Sequence, residues 1–141
     1  MVQSAVISIS GTQTVRGEKP ETIELVSEGS YCYEPGYISF SYVETQLTGL
    51  EGVVTTFTIE DGQTVTLSRQ GKVSSKMVFA VGRRDESLYD AGFGALLISV
   101  ECTSLTVLLN ENGGLFDLEY SISVEHTDCG VNAYHISIRT L

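Results

Sequence analysis

The chain of 141 residues contains no tryptophan, two prolines, three cysteines and no long apolar run. A membrane-spanning helix needs about 18 or more consecutive apolar residues, so none is predicted. The cysteines, Cys32, Cys102 and Cys129, cannot all pair within one chain and show no Cys-x-x-Cys spacing. We therefore expect reduced thiols rather than a disulfide framework.

Positive charge is also scarce, because 8 Lys and Arg stand against 18 Asp and Glu, for a net charge of −10. Such a surface repels phosphates, so neither a nucleic acid nor an anionic membrane is an expected partner. The simplest use of the charge is solubility. The first residues show neither the basic nor the apolar segment of a secretory signal, which favours a cytoplasmic, bacterial-type setting.

The residues that are abundant favour β-structure. Thr, Ser, Val and Ile dominate the periodic segments, 14 glycines punctuate them, and no helical period is sustained. Residues 84 to 92 have room for one helical turn at most. The alternation predicts strands at 3–12, 21–33, 37–46, 53–60, 63–70, 75–82, 94–102, 103–110, 114–125 and 131–140.

Short turns join these strands, with signals at 17–20, 34–36, 60–63, 70–72, 110–114 and 128–130. Successive strands are then antiparallel neighbours in an up-and-down meander. A flat sheet of this size leaves two exposed edges, whereas closure removes them. The sequence therefore predicts a single all-β domain over residues 1–141, an antiparallel barrel of about eight to ten strands. A two-sheet sandwich is the alternative.

One face of the predicted strands is apolar and becomes the barrel lining, whereas the other carries Ser, Thr, Glu and Lys. Two charged residues interrupt the apolar face. Glu44 comes two residues after the inward Tyr42, and Arg69 two residues after the inward Leu67. Because a lone buried charge costs several kcal/mol, we expect Glu44 and Arg69 to be partners. The two residues either contact a ligand, or plug the barrel as an internal ion pair, or are turned outward by a bulge.

Hydroxyl groups accompany this pair. Thr55, Tyr42, Tyr31 and Tyr120 are predicted to supply hydrogen bonds near Glu44 and Arg69, and with them they form a hypothetical ligand-binding set.

The segment Thr48-Gly49-Leu50-Glu51-Gly52 follows the third strand and is predicted to form a loop at the rim of the barrel. Gly49 and Gly52 suit backbone conformations that other residues rarely adopt. Leu50 is expected to fold over the barrel end, and Glu51 to face solvent or Arg69. The loop either closes a hairpin or controls access to the interior.

At these motifs the chain resembles the YwiB-like bacterial proteins, a domain family of unknown function. The resemblance extends over nearly the whole chain and is carried by T-G-L-E-G, by Arg69-x-Gly71, and by the pair Met77 and Phe79. It implies a calycin-like β-barrel, related in shape to lipocalins, and no established activity. Tyr89 and Gly94 also match, and Tyr89 joins the hypothetical site. Residues 90–93, Asp-Ala-Gly-Phe, depart from the family's threonine and proline before an aromatic residue.

Signatures of catalysis and of cofactor binding are weak. His126, Asp128 and Cys129 lack a second pair of metal ligands, so we expect no metal and no cofactor. No phosphate loop, dinucleotide fingerprint or nucleophile elbow is present. Glu44 and Glu51 form the one carboxylate pair that a hydrolase reading can use.

The function predicted from these observations is non-catalytic binding of a small apolar or amphipathic molecule, with its polar end near Glu44 and Arg69. The alternative is a filled barrel that acts through its outer surface as an interaction or scaffold module, and a hydrolase comes third. A partly open meander leaves its first and last strands as edges. Pairing of these edges between two copies predicts a homodimer.

Overall fold

The computed structural model describes residues 2–90 and 94–141, and most of them form antiparallel strands. The ten strands are β1 Val2–Thr14, β2 Glu21–Glu34, β3 Tyr37–Val43, β4 Val54–Glu60, β5 Thr64–Gln70, β6 Ser75–Phe79, β7 Arg84–Asp90, β8 Ala95–Asn110, β9 Gly113–Val124 and β10 Thr127–Thr140. A short 3-10 helix, Gln46–Thr48, interrupts the connection between β3 and β4. Within these described ranges, no helix is long and apolar enough to cross a membrane.

The strands form one sheet in the order β6-β5-β4-β3-β2-β1-β10-β9-β8-β7. Consecutive strands are neighbours except β6 and β7, and β1 pairs with β10. The sheet curls until β6 and β7 nearly meet, and an antiparallel bridge between Ser74 and Asp90 joins them. The amide of each residue donates to the carbonyl of the other at 3.0 Å. The predicted up-and-down, calycin-like barrel is confirmed, and the sandwich alternative is excluded.

The first and last strands are not edges, which corrects the reasoning behind the predicted dimer. β1 and β10 pair from Ala5 opposite Thr140 to Thr14 opposite Val131. The two ends of the sheet are instead β6 and β7, in the middle of the chain. The prediction missed this because alternation describes single strands and does not say which pair closes the barrel.

Two predicted elements differ on the β7–β8 side. Residues 84–90 form a strand rather than a helical turn, and its inward positions are only half-buried, which is why its sequence lacks apolar alternation. The predicted strands 94–102 and 103–110 are one strand, β8, with a register shift between Cys102 and Ser104. An extra residue at a bulge moves the inward face from even to odd positions, and the sequence therefore resembled two strands.

The start of β10 was also predicted incorrectly. The turn before it is formed by Glu125 and His126, which both adopt positive φ, at 49° and 67°. The predicted turn at residues 128–130 is a bulge within β10, where Asp128 Oδ1 accepts a 2.9 Å hydrogen bond from the Gly130 amide. Aspartate and glycine serve in bulges as well as in turns, so their presence alone did not separate the two.

The predicted apolar face does point inward, and its side chains fill the barrel. Phe57 stacks on Phe40 at 5.0 Å between ring centroids and meets the edge of Phe116 at 5.6 Å. Phe79 lies 4.4 Å from Tyr120 further round the barrel. All five rings are almost fully buried. The side chains of these rings therefore fill the middle of the lumen as a packed core.

Gly29 lies where the backbone of β3 comes very close to β2, and this close approach supports a stability prediction. A Cβ at this position would lie 2.1 Å from the Ser41 carbonyl oxygen, closer than any real contact, because β2 and β3 approach each other there. Gly29→Ala must push the strands apart, and we expect a loss of about 2 kcal/mol or more in urea unfolding.

Gly11 provides the matched control for this prediction, because its Cβ would stand 3.6 Å from the Tyr134 ring, an ordinary contact. Gly11→Ala should therefore leave stability within about 1 kcal/mol. Equal losses in the two variants would mean that the close approach at Gly29 is not what limits substitution.

Candidate functional site

Four inward side chains form a polar layer at one end of the barrel. Tyr42, Thr55, Arg69 and Ser75 lie opposite one another in turn across β3, β4, β5 and β6. Two residues closer to the middle of the barrel on the same four strands, the inward positions are Phe40, Phe57, Leu67 and Met77. Because side chains of a strand point inward at every second residue, this polar layer lies directly on an apolar layer.

Glu44 continues the inward face of β3 beyond this layer, as predicted. Its side chain is only 3% exposed, and its Oε2 accepts a 2.6 Å hydrogen bond from Thr55 Oγ1. Its Oε1 accepts from Thr48 Oγ1 at 3.2 Å. Arg69 Nε lies 4.0 Å from Oε2, which makes an ion pair without a direct hydrogen bond. The alternative in which a bulge turns these two residues outward is excluded.

Arg69 reaches from β5 across the barrel end to β10. One Nη donates to the Tyr134 hydroxyl at 3.0 Å, and the buried Nε has no hydrogen-bond partner among the described residues. Burial opposes the positive charge, but Tyr134, Tyr120 and Glu44 outweigh it and hold the pKa of Arg69 above its ordinary value. The guanidinium is therefore a permanent cation at this end of the barrel, and it has N–H groups that can donate further hydrogen bonds.

The rim loop closes back on the same site. Thr45 begins the short 3-10 helix by accepting from the Leu47 amide, and Gly49 ends it at a φ of 75°. Gly52 adopts a φ of 85°, so the positive φ expected at both glycines is confirmed. The Gly52 amide donates to the Glu44 carbonyl at 3.2 Å, which holds the loop against β3.

A cleft of about 210 Å³, open to solvent on one side, lies between this loop and β1, β2 and β10. Its apolar wall consists of Ile9, Ile23, Leu25 and Leu50. Its polar and aromatic wall includes Tyr42, Glu44, Thr48, Arg69, Asn132 and Tyr134, with Thr12, Gln13 and Glu21 towards the rim. The combination of an apolar surface with a few convergent polar groups is typical of a small-molecule site.

The structure brings most of the predicted site residues together. Tyr42, Glu44, Thr48, Leu50 and Arg69 line the cleft. Thr55 and Tyr120 lie below it, where Thr55 bonds Glu44 and Tyr120 accepts a 3.3 Å hydrogen bond from Asn132 Nδ2. Gly49, Glu51 and Gly52 belong to the loop but not to the cleft wall, and Glu51 is exposed.

Two predicted residues lie elsewhere. Tyr31 is at the opposite end of β2, where its hydroxyl donates to the Asn110 carbonyl at 2.6 Å. It was included because its position is inward, but alternation does not tell one end of a long strand from the other. Tyr89 packs half-buried against the core from β7 and does not line the cleft. Residues 91–93, where the sequence departs from the family pattern, are outside the described residues.

Asn132 and Tyr134 are cleft residues that the prediction did not assign to the site. Asn132 precedes Tyr134, Ile136 and Ile138 on the inward face of β10. The same two-residue step that identifies Glu44 and Arg69 also identifies Asn132, two residues before the inward Tyr134. The alternation along β10 predicts that Tyr134 is part of the barrel lining. Its contact with Arg69 depends on barrel closure, which joins residues 65 positions apart.

The buried tyrosines predict a loss of stability at alkaline pH. Burial, assisted by Tyr33 and Cys32, raises the pKa of Tyr31 to about 12 from 10.0, and burial raises the pKa of Tyr42 and of Tyr120 as well. The unfolded state therefore loses these protons first. The stabilising contribution is complete below about pH 10 and is lost as the pH rises through about 12.

Urea unfolding from about pH 8 to about pH 12 checks this expectation. The decline should be shallower in Tyr31→Phe than in the wild type, whereas Tyr37→Phe, at an exposed tyrosine, should follow the wild type. Equal slopes in the two variants would contradict the assignment to Tyr31.

The other candidate chemistries gain little from the structure. Glu44 uses both carboxylate oxygens in hydrogen bonds to threonines, and no contact joins it to Glu51 in residues 2–90 and 94–141. The same ranges contain no group of three His, Cys, Asp or Glu side chains placed for a metal ion. Glu51 is exposed and does not line the cleft that Glu44 faces.

The outer face brings together a Ser-His-Asp row that spacing alone did not reveal. Ser10 lies opposite His135, which lies opposite Asp117, and His135 Nδ1 pairs with the Asp117 carboxylate. The histidine side chain is 60% exposed. No hydrogen bond joins Ser10 to it in the part of the chain that the structure describes. We interpret the row as a hydrogen-bonded histidine and aspartate on the surface, beside a serine.

Comparison with known proteins gives a family and a fold. The family profile described as "Domain of unknown function (DUF1934)" matches residues 7–138. The crystal structure of the ywiB protein from Bacillus subtilis is similar, with a TM-score of 0.84 and 20% sequence identity over 99% of this chain and 93% of that chain. No curated protein matches. The resemblance seen in the sequence is confirmed, and at this identity the solved structure supports the fold alone.

Proposed function

The chain belongs to the DUF1934 family of domains of unknown function, and from that premise we propose that it is a non-catalytic binding protein for a small apolar or amphipathic molecule. The observation that carries the proposal is the cleft at the Glu44 end of the barrel. It joins an apolar wall to a cation whose Nε has no hydrogen-bond partner, Arg69.

The proposed ligand lies at the end of the barrel and not inside its lumen. Phe40, Phe57 and Phe116 occupy the middle of the lumen, so a ligand cannot enter deeply as it does in an open-lumened barrel. It lies across the barrel end instead, with its apolar part on Ile23 and Leu25 and its polar end towards Arg69. The cleft volume of about 210 Å³ suits a small molecule rather than a long-chain lipid.

The cellular setting is part of the same proposal. Cys32, Cys102 and Cys129 are all free thiols, and Cys102 is buried. Unpaired cysteines in a folded domain are compatible with a reducing compartment, and the cytoplasm of a bacterium is the setting that we propose.

A cleft-filling substitution tests the proposal. Ile23 lines the cleft and Val26 is exposed on the opposite face of the same strand. In a ligand-observed NMR screen of small amphipathic compounds, we expect hits that bind the wild type and Val26→Trp but not Ile23→Trp. Thermal melting checks that both variants remain folded. A screen without hits, or hits that bind Ile23→Trp equally well, would overturn the proposal.

The packed lumen also supports a second candidate, a scaffold that acts through its outer surface. Leu108 and Leu115 lie opposite each other on the outer face of β8 and β9, with 63% and 40% of their surface exposed. A protein partner that covers this pair should lose binding to Leu108→Asp, while binding of a cleft ligand is unchanged. This outcome separates the scaffold from the ligand-binding protein.

A further inference from the structure

The charge balance of the cleft indicates which polar group it accepts, given the proposed function. The charged side chains that line it are Arg69, Glu44 and Glu21. Glu44 lies 4.0 Å from Arg69 and offsets its charge inside the barrel end, and Glu21 adds a negative charge at the rim. The cleft therefore contains a cation but has no net positive charge.

Two residues of the polar layer line the cleft, Tyr42 and Arg69, and both have hydrogen-bond donors available. The Tyr42 hydroxyl makes no hydrogen bond within the described part of the chain, and burial keeps it protonated because it raises the pKa of Tyr42. One Nη of Arg69 donates to the Tyr134 hydroxyl, and the other N–H groups of Arg69 have no hydrogen-bond partner among residues 2–90 and 94–141. By contrast, the hydroxyls of Thr48 and Thr55 are already committed to Glu44.

From these contacts we infer that the cleft selects an uncharged acceptor, such as the carbonyl oxygen of a carboxamide, on a short apolar chain. Glu44 is then a specificity-determining residue that excludes carboxylates. A carboxylate placed on Arg69 would lie within a few ångströms of the Glu44 carboxylate. At the intermediate dielectric of a partly buried site, that repulsion lowers affinity roughly tenfold or more.

The test compares hexanamide with hexanoate, which share one apolar chain and differ in head group. Each is titrated at neutral pH into the wild type and Glu44→Gln, and backbone resonances are followed by heteronuclear NMR. We expect the wild type to bind hexanamide roughly tenfold more tightly than hexanoate. Glu44→Gln should erase or reverse that preference, since it leaves Arg69 without its counter-charge.

Glu51→Gln is the matched control, because it removes the same charge from the same loop at an exposed residue outside the cleft wall. It should keep the wild-type preference. A wild type that prefers hexanoate would overturn the inference but leave the cleft as a ligand site. Because this comparison uses the wild type alone, it tests the inference even if Glu44→Gln does not fold. A preference that persists in folded Glu44→Gln would remove Glu44 from the specificity role. If neither compound perturbs Ile23 or Leu50, the proposed ligand site fails as well.

Discussion

Replacing Arg69 with alanine is expected to destabilise the barrel by about 3 kcal/mol, a large share of the stability of a domain of this size. The physical reason is the carboxylate left behind. Glu44 is 3% exposed, and Arg69 is its ion-pair partner within the described part of the chain. The loss should fall at the lower end of the usual range for a broken buried pair, because Thr55 and Thr48 still donate to the carboxylate.

The double variant Arg69→Met with Glu44→Leu separates this effect from simple loss of packing. It removes both charges and keeps apolar volume, so it should recover more than half of the lost free energy of unfolding. Some cost remains because Thr55 loses its acceptor. Urea unfolding of the wild type, the single variant and the double variant makes the comparison. If the melting temperature of Arg69→Ala lies within a few degrees of that of the wild type, Glu44 and Arg69 face water, and their main role is to contact a ligand.

Phe57→Ala is expected to cost about 3–5 kcal/mol, the range for an aromatic ring removed from a packed interior. The ring has no exposed surface and contacts Phe40, Phe116 and Tyr134, with centroids 5.0, 5.6 and 5.5 Å away. Since Tyr134 holds Arg69, the vacancy also loosens the cleft above it. Denaturant unfolding measures the loss.

Thr58→Ala, at the next position on the same strand but facing outward, is the control and should cost less than about 1 kcal/mol. A loss below about 1.5 kcal/mol for Phe57→Ala would show that the ring borders open space. The lumen would then be a cavity rather than a core, and the ligand position proposed at the barrel end would need to move inward.

The site could be predicted from sequence to the extent that it follows from strand alternation. Glu44 and Arg69 stood out because a charge occupied an inward position, and the cost of burying it implied a partner. The same argument applied to β10 identifies Asn132. Tyr31 was misplaced for a related reason, because β2 is 14 residues long and both of its ends carry inward positions.

Other features depend on information that a local pattern does not contain. The contact between Arg69 and Tyr134 exists only because β1 and β10 close the barrel between them. The filled lumen depends on whether rings from opposite walls meet, as Phe57 and Phe116 do. β7 escaped prediction because its inward residues are Asp85, Ser87 and Tyr89 at a seam where burial is incomplete. In β8 a single bulge residue reversed the alternation.

The most direct measurement of the central claim is a crystal structure of the protein as purified and after soaking with the screening hits. We expect density for a small molecule between Leu50 and Tyr134, with an oxygen within hydrogen-bonding distance of Arg69 and an apolar part on Ile23 and Leu25. Density confined to the outer face of the barrel, or a cleft that holds only water at millimolar concentrations of every hit, would contradict the claim.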